Sequence, residues 1–572
     1  MSNIKYRLLL IVLALAVVFS AGMVVAQPLP RHETLYKAGL QWGPPANFNP
    51  MGINIAWPMA LNQEMLVYES LFVYNLLTGE LDPLLAQSIE WVDDLTARIT
   101  LHEGTRWQDG LPLTASDVVY TFDLGRRYDL PFTPVWGFLE SMVALDDRTV
   151  ELKLNPARPH RAMVETELTQ VRIVPQHIWE IVEVDFATVR EFPNWEPIGS
   201  GPYRLLRHSP EIIVLERHDD YWGTAVFGTP APRFIAHPIF RSNDAGNLAL
   251  ERGQVDWSQQ FVPEVWKMWE ERGLPVRTWF AQEPYFLPAS IPTLFINVHR
   301  PGLDNPLVRR ALAYAIDYPR IAETAMSRYS PPARSSMLIP LGVPEQRFFD
   351  GEAVAEHGWE FNPAEAVRIL EQELGATRGA DGIFVLPDGT RLGPWTAQCP
   401  FGWTDWMTAL EIVAESAQAV GIDVRTEFPE APVWTDRLQT GTFDLILNTP
   451  AGAYNPAQPW IRFHTVMDNR GVAELGGIAF RNWNRYHNEA VPALLDAAAL
   501  TQDEAELARI YGELDRIFMQ DVPAIPLMYR PWQFYTFNES VWRGFPTEEN
   551  PFSPPLHAHT GVRIYFALES AR

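Results

Sequence analysis

The sequence predicts a large mixed α/β protein with more than one lobe, and three observations carry that prediction. Leu294, Phe295, Ile296 and Val298 form an apolar run of strand length, ended by the turn residues Pro301, Gly302, Asp304, Asn305 and Pro306. A helix follows, with Val308, Leu312, Ala315 and Ile316 on one face and Arg309 and Arg310 off it, so it should pack against a core on one side only. Further on, an amphipathic helix over Met407 to Val420 stops at Gly421 and feeds a strand at Ile422 to Val424, an alternation typical of α/β lobes. With 572 residues at 47% hydrophobic, the chain can bury several cores.

From the N-terminus, Lys5 and Arg7 precede an apolar run from Leu8 to Phe19, and the small residues Val24 and Ala26 suit cleavage before Gln27, so residues 1–26 read as a secretory signal peptide. Cys399 is the sole cysteine and lies far from that site, which predicts an exported protein with neither disulfide nor lipid anchor, in a periplasmic or extracellular space. Seventy acidic against 45 basic residues argue against nucleic acid as a partner, because its phosphates demand a basic footprint.

Residues 35–50, LYKAGLQWGPPANFNP, read as a short strand entering a loop around Trp42, Asn47, Phe48 and Asn49, with Trp57 close behind. Ala97, Ile99 and Leu101 alternate as a half-buried strand, Gly104 to Gly110 make a turn-rich connection, and Thr114 or Ser116 caps a helix beginning near Asp117. Gly199 to Tyr203, GSGPY, has no helix directly behind it, so it is not a phosphate loop. Asn362 and Pro363 introduce a helix over Ala364 to Leu374, Asp381-Gly382 and Asp388-Gly389 mark a hairpin, and Thr501 to Met519 is helical. His557 and His559 sit two apart near the end; two ligands make no metal site, and a surface position is expected for both.

Several stretches share their wording with one known group. They are Tyr68, Glu69 and Leu71; Pro83, Leu85, Ala86 and Ser88; Leu101, Gly104, Trp107, Asp109, Gly110, Pro112, Thr114, Ala115, Asp117 and Val118; Gly199 to Tyr203 with Tyr221, Trp222 and Gly223; and Asn297 through Asp317. In this wording the chain resembles the family 5 extracellular solute-binding proteins, the ABC-importer receptors for oligopeptides, dipeptides, nickel and some oligosaccharides. The resemblance implies a two-lobed periplasmic-binding-protein type II fold (cluster C) with an extra subdomain in the first lobe. It places lobe one at residues 27–72, 197–290 and 525–572, the extra subdomain at 73–196, and lobe two at 291–524. It also implies a monomeric receptor docking on a membrane permease, with no catalytic residue and no cofactor, and a scaffold role for Trp107 and Asp109.

Within that resemblance the ligand loop is expected after Phe443 to Leu447. Peptide-binding relatives carry an Asp there to pair with the peptide's ammonium; this chain has Ala453, then Tyr454, Asn455 and Pro456, with no Asp between Asp444 and Asp468. Burying an unpaired ammonium costs several kcal/mol, so a neutral ligand is favoured. Sugars stack C–H faces on indoles and bind their hydroxyls to amides. Candidate ligand-binding residues are therefore Trp42, Asn47, Asn49, Trp57, Trp257, Trp403, Trp406, Asn448, Tyr454, Asn455, Trp460 and Trp483. The expected ligand is a β-linked gluco- or manno-oligosaccharide, in line with the resemblance to cello- and manno-oligosaccharide binding members. An oligopeptide receptor of the same family is the nearer alternative and a heme or nickel receptor a farther one. A secreted glycoside hydrolase is the alternative from another class; it needs two carboxylates about 5 to 10 Å apart across the sugar site.

Overall fold

A computed structural model describes residues 29–571 except 53, 61, 62 and 453; the expected signal peptide and Ala453 lie outside the described residues. Three sheets organise the chain. A seven-stranded mixed sheet runs Val276–Arg277, Thr536–Asn538, Trp257–Ser258, Thr34–Ala38, Phe234–Pro238, Ile212–Arg217 and Tyr203–Ser209. Its central strand, Thr34–Ala38, pairs in parallel with both neighbours. Such a strand is covered on both faces, which is why Leu35 and Ala38 are fully buried. A five-stranded sheet runs Val424–Glu427, Trp395–Gln398, Leu445–Asn448, Thr293–Ile296 and Ala524–Pro526. The third is an antiparallel four-stranded sheet of Ala86–Trp91, Thr96–Leu101, Thr149–Leu154 and Leu139–Ala144. Among the described residues no helix is long and apolar enough to cross a membrane.

The chain passes twice between the seven- and five-stranded sheets, through residues 278–292 and 527–535. The two passages run side by side. Ser290 and Arg530 exchange backbone hydrogen bonds of 2.9 Å each, and the Leu527 amide donates to the Pro292 carbonyl at 2.9 Å.

Much of the expected local structure is present. Asn305 caps the helix Pro306–Ala315 by accepting from the Leu307 amide at 2.9 Å, with Pro306 in the first turn where its missing N–H costs nothing. Thr114 precedes the helix Ala115–Arg127, where the Asp117 carboxylate accepts from the Thr114 amide at 2.9 Å. The second α/β helix spans Thr404–Val420 and ends on Gly421 at φ +92°, a left-handed cap.

Other expectations are corrected. Arg309 is buried: its guanidinium donates to the Val522 and Leu303 carbonyls at 2.8 Å each and also reaches those of Asp304 and Asp521. The helix is therefore enclosed on more than its apolar face. The helix expected over Ala364 to Leu374 is α only across Pro363–Arg368 and continues as a π-helix over Ile369–Glu373. The strand expected at Ile422 to Val424 is Val424–Glu427. His557, expected at the surface, is fully buried.

The repeated wording around Glu69 and Gly199 has a structural explanation. Buried Glu69 accepts from the Tyr221 hydroxyl at 2.6 Å and the Trp222 indole at 3.0 Å, and burial pushes its carboxyl up to about 7. Side chains at Gly199 and Gly201 would collide with the Val67 and Leu66 carbonyls, so only glycine allows the two backbones to meet. Trp107 is buried beside this junction, and Gln108 next to it donates to the Tyr203 carbonyl at 2.8 Å.

Candidate functional site

The loop after strand Leu445–Asn448 and the second passage between the sheets bring two aromatic rings together. Tyr454 and Trp532 pack with centroids 4.7 Å apart, tilted by 41°, over Gly452, where a side chain would strike both rings. Both keep some accessible surface, and burial pushes the Tyr454 phenol up to about 12. No Asp or Glu occurs from residue 445 to residue 467. Asn448 sits partly open at the end of its strand, while Asn455 turns inward to hold the Ala457 amide at 3.1 Å.

A second aromatic group stands at the start of helix Thr404–Val420. Trp403 is 44% exposed, edge-on to Trp406 at 4.9 Å and 5.9 Å from Trp434. The neighbouring carboxylate, Asp405, is paired with Arg530 at 3.3 Å, which joins this helix to the paired passages. Its charge is thereby answered within the protein.

In the N-terminal loop, Trp42 is 48% exposed and is the open member. Asn47 shapes the turn by accepting from the Asn49 amide at 3.1 Å. Asn49 has no exposed surface; its amide donates to the Val189 and Phe192 carbonyls at 2.8 Å each while its oxygen accepts from Met51. Gln41, not singled out from sequence, accepts from the Trp57 amide at 3.0 Å and holds this loop.

Trp57 and Trp257 are fully buried. Trp57 donates to Glu64 at 3.3 Å, and Trp257 stacks on His557 at 4.2 Å beneath the Lys37 ammonium, 3.7 Å from the ring. Lys37 pairs with Glu64, and Tyr565 donates to the same carboxylate at 2.9 Å. This charged cluster sits under the loop rather than in an opening. Burial drives Lys37 well below the usual lysine range and His237 down to about 3. Trp483 is also buried, edge-on to Phe295 at 5.0 Å.

Trp460 lies elsewhere. Its indole donates to the Leu495 carbonyl at 2.9 Å, stacks on His464 at 4.6 Å, and meets His160 edge-on at 4.4 Å. His160 leads the helix Arg161–Gln170, which packs beside the strand Phe72–Asn75 and against helix Ala490–Leu500. A crevice of about 620 Å³ opens here, lined by Arg158, His160, Trp460, His464, Arg470 and Arg481, among others. Burial lowers His160 to about 3 and His464 to about 4, with neighbouring arginines adding to both shifts.

The structure thus brings Tyr454 to Trp532 and Trp403 to Trp406, leaves Trp42 open, and encloses Asn49, Trp57, Trp257 and Trp483 in packing. Trp532 was not anticipated, although a Pro-Trp pair directly after the strand returning to the first sheet was a readable sign. Among the described residues no group of three or more potential ligands could hold a metal ion.

Comparison with known proteins gives one family. Residues 80–469 match the bacterial extracellular solute-binding proteins, family 5 (middle region). A crystal structure of an oligopeptide ABC transporter periplasmic oligopeptide-binding protein from Thermotoga maritima superposes with a TM-score of 0.85 at 33% identity, covering 94% of this chain and 99% of that one. The mannohexaose-bound structure of the Thermotoga maritima protein superposes at 0.79 and 33% identity, covering 95% and 100%. A probable peptide-binding protein, YejA, from Agrobacterium fabrum is 24% identical over 501 residues, 80% of this chain and 79% of the relative.

Proposed function

Because the chain belongs to the bacterial extracellular solute-binding proteins of family 5, the substrate receptors of ABC importers rather than enzymes, we propose that its substrate is a neutral β-linked gluco- or manno-oligosaccharide. Residues 27–72, 197–290 and 525–572 form lobe one in this reading, 73–196 its extra subdomain, and 291–524 lobe two. The ligand is held between the lobes, and its contacts to both favour the closed form by differential affinity. The closed receptor then delivers the sugar to the membrane permease.

The observation that carries this reading is the Tyr454–Trp532 pair in a loop with no carboxylate. A flat aromatic surface suits the C–H face of a pyranose ring, and a loop without a negative charge offers nothing to a peptide ammonium. The open indoles Trp42 and Trp403 extend the aromatic surface, with the partly open Asn47 and Asn448 as further contacts. The mannohexaose held by the Thermotoga maritima relative supports the same substrate class. An oligopeptide is the second reading, favoured by the peptide-binding names of several relatives.

Calorimetric titration with mannohexaose, cellopentaose and tetra-alanine tests the proposal. Binding of either glycan without binding of the peptide is the expected result; peptide binding with indifference to both glycans reverses it.

A further inference from the structure

The crevice beside Trp460 carries an uneven charge. Its lining includes the guanidiniums of Arg158, Arg470 and Arg481 against the carboxylates of Asp468 and Asp496. Arg470 answers both carboxylates, donating to Asp468 at 2.8 Å and to Asp496 at 2.7 Å. Arg158 lies over the Phe138 ring at 5.2 Å, and Arg481 donates to the Arg470 carbonyl. Among the described residues neither of these two guanidiniums forms an ion pair, so the crevice keeps a positive excess inside a strongly acidic protein.

Donors without acceptors line the same space. The Arg481 Nε is buried with no hydrogen-bond partner, and so are both ring nitrogens of His160, a residue only 4% exposed. Whichever tautomer the imidazole holds, one N–H is therefore unanswered. Buried polar groups are almost always satisfied, and leaving one unmade costs about 1–3 kcal/mol, so these donors call for an acceptor that arrives from outside. They also come from distant parts of the chain. Arg158 and His160 follow the strand Thr149–Leu154 of the four-stranded sheet, whereas Arg481 lies beyond the helix Trp460–Met467 that carries His464.

We propose that this crevice, which neither Tyr454 nor Trp532 lines, is a binding site in its own right for a small oxyanion, whose oxygens accept from the Arg481 Nε, from His160 and from the Arg158 guanidinium. Separately placed donors need several lone pairs at once, which a carboxylate or phosphate group offers and a halide does not, and guanidiniums match such oxygens in geometry. About 620 Å³ holds a free ion and also leaves room for the body of a sugar acid. An anion bound here ties the segment beside the four-stranded sheet to the segment that follows the ligand loop, and so stabilises the folded protein. None of this depends on the neutral-oligosaccharide reading, and no glycan is needed to observe it.

Calorimetry on the full mature chain in a phosphate-free buffer, with inorganic phosphate, glucuronate and, as the neutral control, glucose, tests the site. The parent should bind phosphate or glucuronate and ignore glucose. Arg481→Gln and His160→Phe should each weaken that binding by at least about tenfold and Arg158→Gln by about three- to tenfold, while Arg509→Gln, on an exposed helix elsewhere, should change it by less than about twofold. Arg158 is exposed and makes no side-chain hydrogen bond among the described residues, so its variant remains informative if Arg481→Gln fails to fold. Tighter binding of phosphate assigns the site to a free ion, and tighter binding of glucuronate assigns it to an acidic sugar. The bound anion should also raise the melting temperature of the parent and leave that of Arg481→Gln unchanged. No binding of either anion up to about 20 mM overturns the proposal, as does affinity within about twofold of the parent in Arg481→Gln and Arg158→Gln. An equal loss in Arg509→Gln would show diffuse attraction to surface charge and would overturn it as well.

Discussion

The imidazole of His160 meets the indole of Trp460 edge-on with ring centroids 4.4 Å apart, joining the helix beside the four-stranded sheet to a helix 300 residues later in the chain. His464 stacks on the opposite part of the same indole at 4.6 Å, so one tryptophan is held by two histidines. Both imidazoles are kept neutral by burial, at about 3 and about 4. The other charged groups around the crevice are Arg158, Arg470, Arg481, Asp468 and Asp496; Arg158, Arg470 and Arg481 oppose a second positive charge, and Asp468, 3.6 Å from His464, favours one.

The sign of the pH dependence follows. Once pried apart these histidines titrate near 6.5, so the separated form binds more protons than the packed form whenever the pH falls below that value. The contact keeps its full strength above about pH 6.5 and loses it progressively toward pH 4. Ligand affinity, measured by calorimetry from pH 7.5 to 5, should fall with acidification, by up to about tenfold per pH unit for each histidine engaged. His160→Phe should flatten that profile; a profile unchanged by the substitution would show that the contact does not respond to protonation.

On the proposed oligosaccharide reading, Tyr454 and Trp532 supply the aromatic surface for the sugar. Replacing either by Ala should weaken mannohexaose by about 2 kcal/mol, some thirtyfold, while the circular dichroism spectrum stays unchanged. Undiminished affinity in both variants would place the ligand elsewhere.

Lys37 and Glu64 form a buried ion pair under the N-terminal loop. Removing one partner strands the other, so Lys37→Met should destabilise the protein by about 3–5 kcal/mol in urea unfolding. Adding Glu64→Gln should recover part of that loss; a double variant weaker than the sum of the two single ones would contradict the pairing.

Arg309 satisfies four backbone carbonyls through one planar fork. Arg309→Met should cost about 3 kcal/mol by leaving buried acceptors unpaired, and Arg309→Lys should restore only part of it because an ammonium cannot reproduce the fork. Equal stability of Lys and Arg at this position would mean that only the charge matters.

These residues also show how far the sequence could be read. Features set by near neighbours were legible: the Asn305 cap, the Thr114–Asp117 start and the glycine end at Gly421 each depend on partners within a few positions. The burial of Arg309 was not, because two of its carbonyl partners, Asp521 and Val522, lie more than 200 residues away. The same holds for Trp257, whose stacking partner His557 is 300 positions downstream and itself looked like a surface residue. Composition pointed to tryptophans as a class, yet it did not separate Trp403 and Trp42, which stay open, from Trp57 and Trp483, which are packed. Trp532 escaped notice because it stands in a connecting passage between the sheets.

The most direct measurement of substrate class is a competition read by native mass spectrometry, with the mature protein mixed with equimolar mannohexaose and tetra-alanine. The expected spectrum shows one added hexasaccharide per chain and no peptide adduct. A spectrum dominated by the peptide-bound mass, with the glycan left free, would contradict the neutral-sugar account.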